Sequence, residues 1–449
     1  MDQPAAAAAV AVPPPAPVAA AERIASIDVI RGLAMLGILV MNVVEFAWPF
    51  DAYDNPAYAG GSTGLDLATW FVQATLFDGK MRALFSMLFG AGLVLIDQRM
   101  QAAGRGGEAA DLLLRRCLWL VPFGIVHRFV LQWSGDILYQ YGLLALLAIP
   151  FRRWPARRLL ALGIAVLALA AVPEAWGYRG LDRLRSDAAA AAALAAKGEP
   201  LPAPLATAQK DWKRYANRVP PEPETLAAQV QAMRKGYVDI CTERWDYHHK
   251  FQSIYLYEYF VYDVLGMMLL GMGLMKTGFF AGACSPRVYR RVLVAGGIAA
   301  LAVLAWSIAW QQSGFSNAAL GLRLVRGAGY SCTRALVGLA WAAAVLLLLR
   351  AGRLRLLTAA LASVGRMAFS CYIVQTLCCT LWFFGYGFGH YGDMTRSALM
   401  VVVAVVSLIQ IAFSTAWLRL FRFGPLEWAW RSLTYWRRQP LLRARAPSG

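Results

Sequence analysis

Three long runs of this chain contain no charged residue: Gly32–Val44, Ala335–Leu349 and Leu399–Phe413. With their flanking residues they approach the roughly 20 apolar residues that a helix needs to cross a bilayer. Only 16% of the 449 residues are charged, whereas soluble domains carry about 25%. A chain with so little polar surface cannot cover itself in water, so the sequence predicts a polytopic membrane protein.

Apolar stretches recur along the chain and predict an all-α fold, a transmembrane helix bundle of about ten spans. They form an N-terminal transmembrane half at 23–175 and a C-terminal half at 251–423, with about five spans in each. The predicted spans are approximately 28–47, 80–97, 115–132, 136–151, 157–175, 254–276, 290–311, 331–350, 364–386 and 397–420.

Three segments lie outside the two transmembrane halves. Residues 1–22 are rich in Ala and Pro and lack the basic n-region of a signal peptide, which favours a disordered cytoplasmic tail. Residues 176–250 are long and mixed in charge, and we expect an extracytoplasmic, mostly helical insertion. Residues 424–449 combine aromatic residues with arginines, a pattern typical of an interfacial amphipathic helix that contacts membrane lipid, followed by a basic tail.

The excess of positive charge is explained by topology. The net charge is +18, and the arginines cluster in alternate short loops, whereas the loops at 48–65 and 133–135 contain none. Cytoplasmic loops of membrane proteins carry such an excess of Lys and Arg, so both termini are predicted to be cytoplasmic and no nucleic-acid partner is expected. None of the seven cysteines forms a CxxC pair, which leaves a metal site without support.

Ionisable residues within apolar stretches are costly and identify candidate sites. At the start of the first span, Asp28 and Arg31 are three residues apart and can pair on one helix face. A capped helix with a local ion pair would explain them. A functional interpretation has the Arg31 guanidinium bind an anionic ligand from the cytoplasm, because guanidinium groups bind phosphate bidentately.

A second candidate pair flanks the tight turn at Trp133–Gly135, which folds two spans into a helical hairpin. His127 precedes the turn and Asp136 follows it, so the two can meet as a catalytic base and its orienting carboxylate. Alternatively, Asp136 caps the returning helix and His127 hydrogen-bonds to a neighbouring helix. Both interpretations remain open at this point.

A third group comes from the C-terminal half. Asp263 lies within an apolar run and needs a cationic partner, for which Arg334 is the structural ion-pair candidate and Arg366 the other available cation. We expect Arg366, Tyr372 and Gln375 to contribute to substrate binding together with Asp28 and Arg31.

Several motifs together resemble one family. The chain resembles the YeiB-like family of bacterial membrane proteins from about residue 23 to 440, and its C-terminal half resembles that family's domain of unknown function, DUF418. The family is similar to the transmembrane acyltransferases, which include the lysosomal heparan glucosaminide N-acetyltransferase. The motifs are RIASIDVIRGLAMLGILVMN (23–42), FSMLFGAG (85–92), HRFVLQWSGDILYQY (127–141), GRMAFSCYIVQ (365–375) and GPLEWAWRSLTYW (424–436).

This resemblance implies a multi-pass protein of the bacterial inner (cytoplasmic) membrane that uses acyl-CoA as co-substrate. The acyl donor would enter near Arg31, and a sugar or small-molecule acceptor would approach from the outer face under the 176–250 segment. The heparan enzyme uses a histidine in the loop after its first span, but the corresponding loop here, 48–65, contains none. His127 would then serve as general base or transient acyl carrier, with Asp136 orienting it.

Two other function classes remain possible from the sequence. A small-solute transporter or export channel would suit ten spans, the intramembrane carboxylate of Asp263 and the glycine-rich sixth span. A non-catalytic membrane scaffold would need neither His127 nor Asp136. The acceptor, the acyl chain and the oligomeric state are not determined by the sequence.

Overall fold

The computed structural model describes residues 24–169, 171–216, 223–315 and 328–443, and these form helices without a β-sheet. The disordered tail predicted for residues 1–22 lies outside the described residues. The helices are α1 Ala25–Ala47, α2 Asp51–Asp54, α3 Gly64–Val72, α4 Lys80–Ala102, α5 Ala109–Leu118, α6 Leu120–Ile125, α7 Leu138–Ala148, α8 Ala156–Leu169, α9 Ala171–Ala196, α10 Ala203–Ala216, α11 Pro223–Met233, α12 Tyr237–Tyr255, α13 Val261–Lys276, α14 Pro286–Gln312, α15 Ala328–Arg350, α16 Arg355–Arg366, α17 Ala368–Phe383, α18 Arg396–Leu420 and α19 Pro425–Thr434.

The described residues contain five helices that are long and apolar enough to cross a membrane. Two further pairs pass the same test but are sharply bent, by 61° between α12 and α13 and by 86° between α16 and α17, which raises the count to seven if each pair is one span. The five are Ala25–Ala47, Gly64–Ala102, Pro286–Gln312, Gly329–Arg350 and Arg396–Leu420.

The predicted count of ten spans is therefore not confirmed. If each bent pair is counted as one span, the difference lies in the N-terminal half. The stretch predicted at 115–132 is divided among α5, α6 and a π-helical turn at Val126–Val130. Helix α7 has 11 residues. At about 1.5 Å per residue, α7 is about 16 Å long, roughly half the thickness of the hydrocarbon core. The stretch predicted at 157–175 includes residue 170, which lies outside the described residues.

Glycines allow the central helices to cross at close range. A Cβ atom on Gly32 of α1 would lie 1.9 Å from the carbonyl oxygen of Leu361 on α16, and one on Gly365 would lie 1.9 Å from the carbonyl oxygen of Asp28. Such small residues let helix backbones approach where lipid supplies no hydrophobic driving force. The α1–α16 crossing places the start of α1, with Asp28, beside the end of α16.

The 176–250 segment is helical in its described parts. Helices α9 and α10 pack against each other, and α12 lies against the hairpin that joins α6 to α7. The Tyr237 hydroxyl donates to the Val130 carbonyl oxygen at 2.7 Å, and Arg244 donates to the Ser134 hydroxyl at 2.8 Å. Helix α12 therefore covers the hairpin turn.

Candidate active site

A cavity of about 220 Å³ lies between α1, α4, α7 and α17, with α5 and α19 at one end. Its walls are mostly apolar and aromatic side chains from these helices, such as Met35, Phe85 and Tyr141. Arginines from five different helices line the end where α1 begins, and we call this set the arginine cluster: Arg31, Arg99, Arg116, Arg366 and Arg431.

Arginines outnumber carboxylates in the wall of the cavity. Asp28 and Glu427 are the two acidic residues among the described residues that line the cavity. Arg31 donates to Asp28 at 3.0 Å and to the Gly365 carbonyl oxygen at 3.4 Å. The Arg31 side chain is 30% exposed, so this end of the cavity opens to the outside of the protein. Guanidinium groups that converge on one end of a cavity are suited to an anionic ligand.

Glu427 is bound within the protein and holds α19 against the bundle. Its carboxylate accepts hydrogen bonds from the backbone N–H groups of Phe369 and Ser370, at 2.7 and 3.1 Å, at the start of α17. Burial raises the pKa of the Glu427 carboxyl, and the hydrogen bonds from Ser370 and Phe369 oppose that rise. Trp430 is only 8% exposed, and its ring packs 3.7 Å from the Arg116 guanidinium.

The interfacial amphipathic helix predicted within residues 424–449 stays a prediction, and the structure shows which part of α19 contacts protein. One face of the helix is buried against α5 and α17, where it forms part of the cavity wall. An amphipathic pattern does not distinguish a helix that packs on lipid from one that packs on protein, because both bury an apolar face.

Tyr372 closes the inner end of the cavity. Its hydroxyl donates to the Gly135 carbonyl oxygen at 2.8 Å and accepts from the Trp133 indole N–H at 3.0 Å. The tyrosine and His127 rings meet edge to face, with centroids 4.8 Å apart. Tyr372 thus lies between the cavity and the hairpin that carries His127.

His127 and Asp136 are in direct contact across the hairpin, and both are fully buried. Asp136 Oδ1 lies 2.7 Å from His127 Nδ1. Asp136 also accepts the backbone N–H groups of Leu138 and Tyr139, at 3.1 and 3.0 Å. The carboxylate therefore caps α7 and orients the imidazole at the same time, which combines the two interpretations that the sequence left open.

The other imidazole nitrogen contacts a residue that the sequence analysis missed. His127 Nε2 lies 2.8 Å from the Thr376 hydroxyl on α17, and Thr376 is also fully buried. The two residues are 249 positions apart in the chain. A threonine in an apolar helix carries no signal of its own, so only the packing of α17 against the hairpin identifies it.

The remaining predicted residues divide between the cavity and the packed interior. Arg366 lines the cavity with Asp28, Arg31 and Tyr372. Gln375 does not line it, because its amide donates to the Met35 carbonyl oxygen at 3.0 Å and to Gln410 at 3.2 Å, which makes it an interhelical contact.

Asp263 forms a buried cluster with two arginines from other helices. Arg334 donates to it at 3.0 Å and Arg82 at 2.8 Å. Arg82 was missed because it is 181 positions away and appears in the sequence as a basic residue at a span end. In the described part of the chain, no group of three or more His, Cys, Asp or Glu side chains is arranged to hold a metal ion.

Comparisons with known proteins extend over nearly the whole chain. Residues 274–437 match the family described as a protein of unknown function (DUF418). The chain is 32% identical to YeiB of Escherichia coli (strain K12), over 95% of this chain and 98% of that protein. It is 28% identical to YxaH of Bacillus subtilis (strain 168), with the same coverage of 95% and 98%. No solved structure matches the chain.

Proposed function

We propose, since this chain belongs to the YeiB-like family of DUF418 membrane proteins, that it is a membrane-embedded acyltransferase. It would move an acyl (acetyl) group from cytoplasmic acyl-CoA to a sugar or small-molecule acceptor on the outer side of the bacterial inner membrane. The observation that carries this proposal is one cavity with an arginine cluster at one end and the His127–Asp136 pair behind the other.

The two ends of the cavity suit the two ends of an acyl-CoA. The arginine cluster offers guanidinium groups for the phosphates. Past it, apolar side chains such as Met35 and Leu88 line the wall, where the methylene groups of a pantetheine arm and a short acyl chain are favourably removed from water. The asymmetry of basic loops supports a cytoplasmic position for the arginine end.

The chemistry assigned to the pair is general base catalysis. His127 Nε2 takes the proton of the attacking group as that group bonds to the thioester carbonyl carbon. The carbon–sulfur bond then breaks, and the proton passes to the CoA thiolate, so that free CoA leaves as a thiol. With Asp136 at 2.7 Å from Nδ1, we assign the imidazole proton to Nδ1, so that Nε2, beside the Thr376 hydroxyl, is the nitrogen that accepts a proton.

Polar groups on the far side of the hairpin support an acceptor site there. Ser134 in the hairpin turn donates to the Glu45 carboxylate and accepts from Arg244 of α12. Such side chains are suited to hydrogen-bonding a sugar hydroxyl, and α12 belongs to the segment under which the acceptor was expected to enter.

The binding step is tested with purified protein in detergent, titrated with acetyl-CoA by calorimetry. Hydrogen bonds to charged groups contribute about 1.5–3 kcal/mol, so Arg31→Ala and Arg366→Ala should each weaken binding about 10- to 100-fold. Arg355→Ala is the matched control, because Arg355 lies on the same helix as Arg366, is exposed and is absent from the cavity wall. Wild-type protein that does not bind acetyl-CoA would refute the proposal.

The chemical step is tested by release of free CoA from acetyl-CoA. His127→Ala should bind acetyl-CoA as wild type does but release no CoA. A fully active His127→Ala variant would remove the mechanism.

The alternative of a small-solute transporter predicts flux into proteoliposomes without any acyl donor. The two sequence features that favoured a transporter, the glycine-rich span and Asp263, also have structural roles. Gly271 of the glycine-rich span is a close helix contact, since a Cβ there would lie 1.9 Å from the Met87 carbonyl oxygen. Asp263 is held by two arginines. Flux that persists in the His127→Ala variant would favour transport.

A further inference from the structure

Three fully buried side chains form one continuous chain of hydrogen bonds behind the cavity. Asp136 contacts His127 Nδ1 at 2.7 Å, and the Thr376 hydroxyl contacts His127 Nε2 at 2.8 Å. A carboxylate, an imidazole and a hydroxyl in this order are the arrangement in which a hydroxyl is activated as a nucleophile. General base catalysis on a free acceptor requires only the first two groups.

We infer that Thr376 accepts the acyl group as an ester before the group passes to the final acceptor, an inference that rests on the proposed function. In the first half-reaction the Thr376 oxygen bonds to the thioester carbonyl carbon, and its proton moves to His127 Nε2. The carbon–sulfur bond breaks, and the imidazolium returns the proton to the CoA thiolate. In the second half-reaction an acceptor hydroxyl or amine loses its proton to His127, displaces the threonine oxygen and leaves Thr376 protonated.

The position of Thr376 suits a relay between two sites. It lies four residues after Tyr372 on α17, so both side chains are on one face of that helix. Tyr372 lines the inner end of the cavity, whereas the end of α17 approaches α11, because the Gly385 N–H donates to the Met233 carbonyl oxygen at 3.0 Å. An ester on Thr376 lies one helical turn beyond the cavity, toward the side of the acceptor.

Tyr372 would act as the barrier between the cavity and Thr376. Its ring is held by two hydrogen bonds, one from Trp133 and one to the Gly135 carbonyl oxygen. Entry of the thioester to the hydroxyl requires rotation of this ring, which keeps the ester out of contact with cytoplasmic water when the cavity is empty.

A purely structural hydroxyl would behave differently under substitution. The Thr376 hydroxyl also lies 3.4 Å from the Tyr372 carbonyl oxygen, the usual intrahelical contact of a threonine. If the hydroxyl served only as a hydrogen-bonding partner of this carbonyl and of the imidazole, Thr376→Val would lower stability. It would not change whether the protein becomes covalently labelled.

The test uses the full-length protein in detergent with radiolabelled acetyl-CoA and no acceptor. Wild type and Thr376→Ser should retain label after denaturation, and Thr376→Val and His127→Ala should retain none. The label should resist neutral hydroxylamine and be released by alkaline hydroxylamine, as an ester is. Thr380→Val is the matched control and should be labelled like wild type, because Thr380 is equally buried one turn further along the same helix. Each variant is first checked by size exclusion.

The outcomes separate this inference from the proposed function. Label on Thr376→Val, label lost in neutral hydroxylamine as from an acyl-imidazole, or unlabelled wild type that still binds acetyl-CoA would each overturn the threonine ester and leave the acyltransferase standing. Wild type that binds no acetyl-CoA would overturn both.

Discussion

The α1–α16 crossing leads to the sharpest prediction about stability. We expect Gly32→Ala to destabilise the protein, although alanine is the better helix former. The added Cβ would lie 1.9 Å from the Leu361 carbonyl oxygen, whereas ordinary contact begins at 3.4 Å. The two helices must therefore separate by about 1.5 Å at this point. Overpacking of this kind costs about 1–3 kcal/mol.

A matched variant isolates this steric effect from helix propensity. Gly297 lies in the middle of α14, is exposed, and has no atom within 4 Å of the position that a Cβ would occupy. Gly297→Ala should therefore leave the free energy of unfolding unchanged or raise it by up to about 1 kcal/mol, because alanine exceeds glycine in helix propensity by that amount.

The free energies are measured by titrating both variants with SDS in mixed micelles and following tryptophan fluorescence. Gly32→Ala should unfold at a lower SDS fraction than wild type, and Gly297→Ala at the same or a higher one. Separation of α1 from α16 also moves Arg31 away from the Gly365 carbonyl oxygen, now 3.4 Å distant, so affinity for acetyl-CoA should fall as well. Equal unfolding of the two glycine variants would refute the close crossing.

Three further predictions use the same unfolding assay. Asp263→Ala leaves two arginine partners buried without their counter-charge and should lower the free energy of unfolding by about 3–5 kcal/mol. A decrease below about 1 kcal/mol would mean that the arginines find other partners. Glu427→Ala removes the acceptor of two backbone N–H groups and of the Ser370 hydroxyl. It should lower the free energy of unfolding by about 1–3 kcal/mol and speed hydrogen exchange in α19. Unchanged exchange in α19 would contradict the role of Glu427 in holding this helix against the bundle. Trp133→Phe removes one hydrogen bond to Tyr372 and should lower the free energy of unfolding by about 1 kcal/mol. It should also speed acetyl-CoA turnover, because the Tyr372 ring is then held less firmly. Slower turnover would show that the indole N–H is needed in the reaction.

The sequence predicted local features of the site better than distant ones. Asp28 and Arg31 are three residues apart, and His127 and Asp136 flank one turn, so chain connectivity brings each pair into reach. Thr376 is 249 residues from His127 and Arg82 is 181 from Asp263. No periodicity or spacing connects residues at such separations.

The membrane class and the helical fold were determined by the sequence alone, because apolar runs of this length cannot be covered in water and must satisfy their backbone hydrogen bonds internally. Tertiary structure decided which polar groups meet. The crossing at Gly32 and Gly365 places Arg31 and Arg366 in the wall of one cavity, and the packing of α17 against the hairpin brings Thr376 to His127. The reason is physical: burial of an apolar helix face is non-directional, whereas a hydrogen bond requires particular atoms within about 3 Å, and only the packing of whole helices sets those distances.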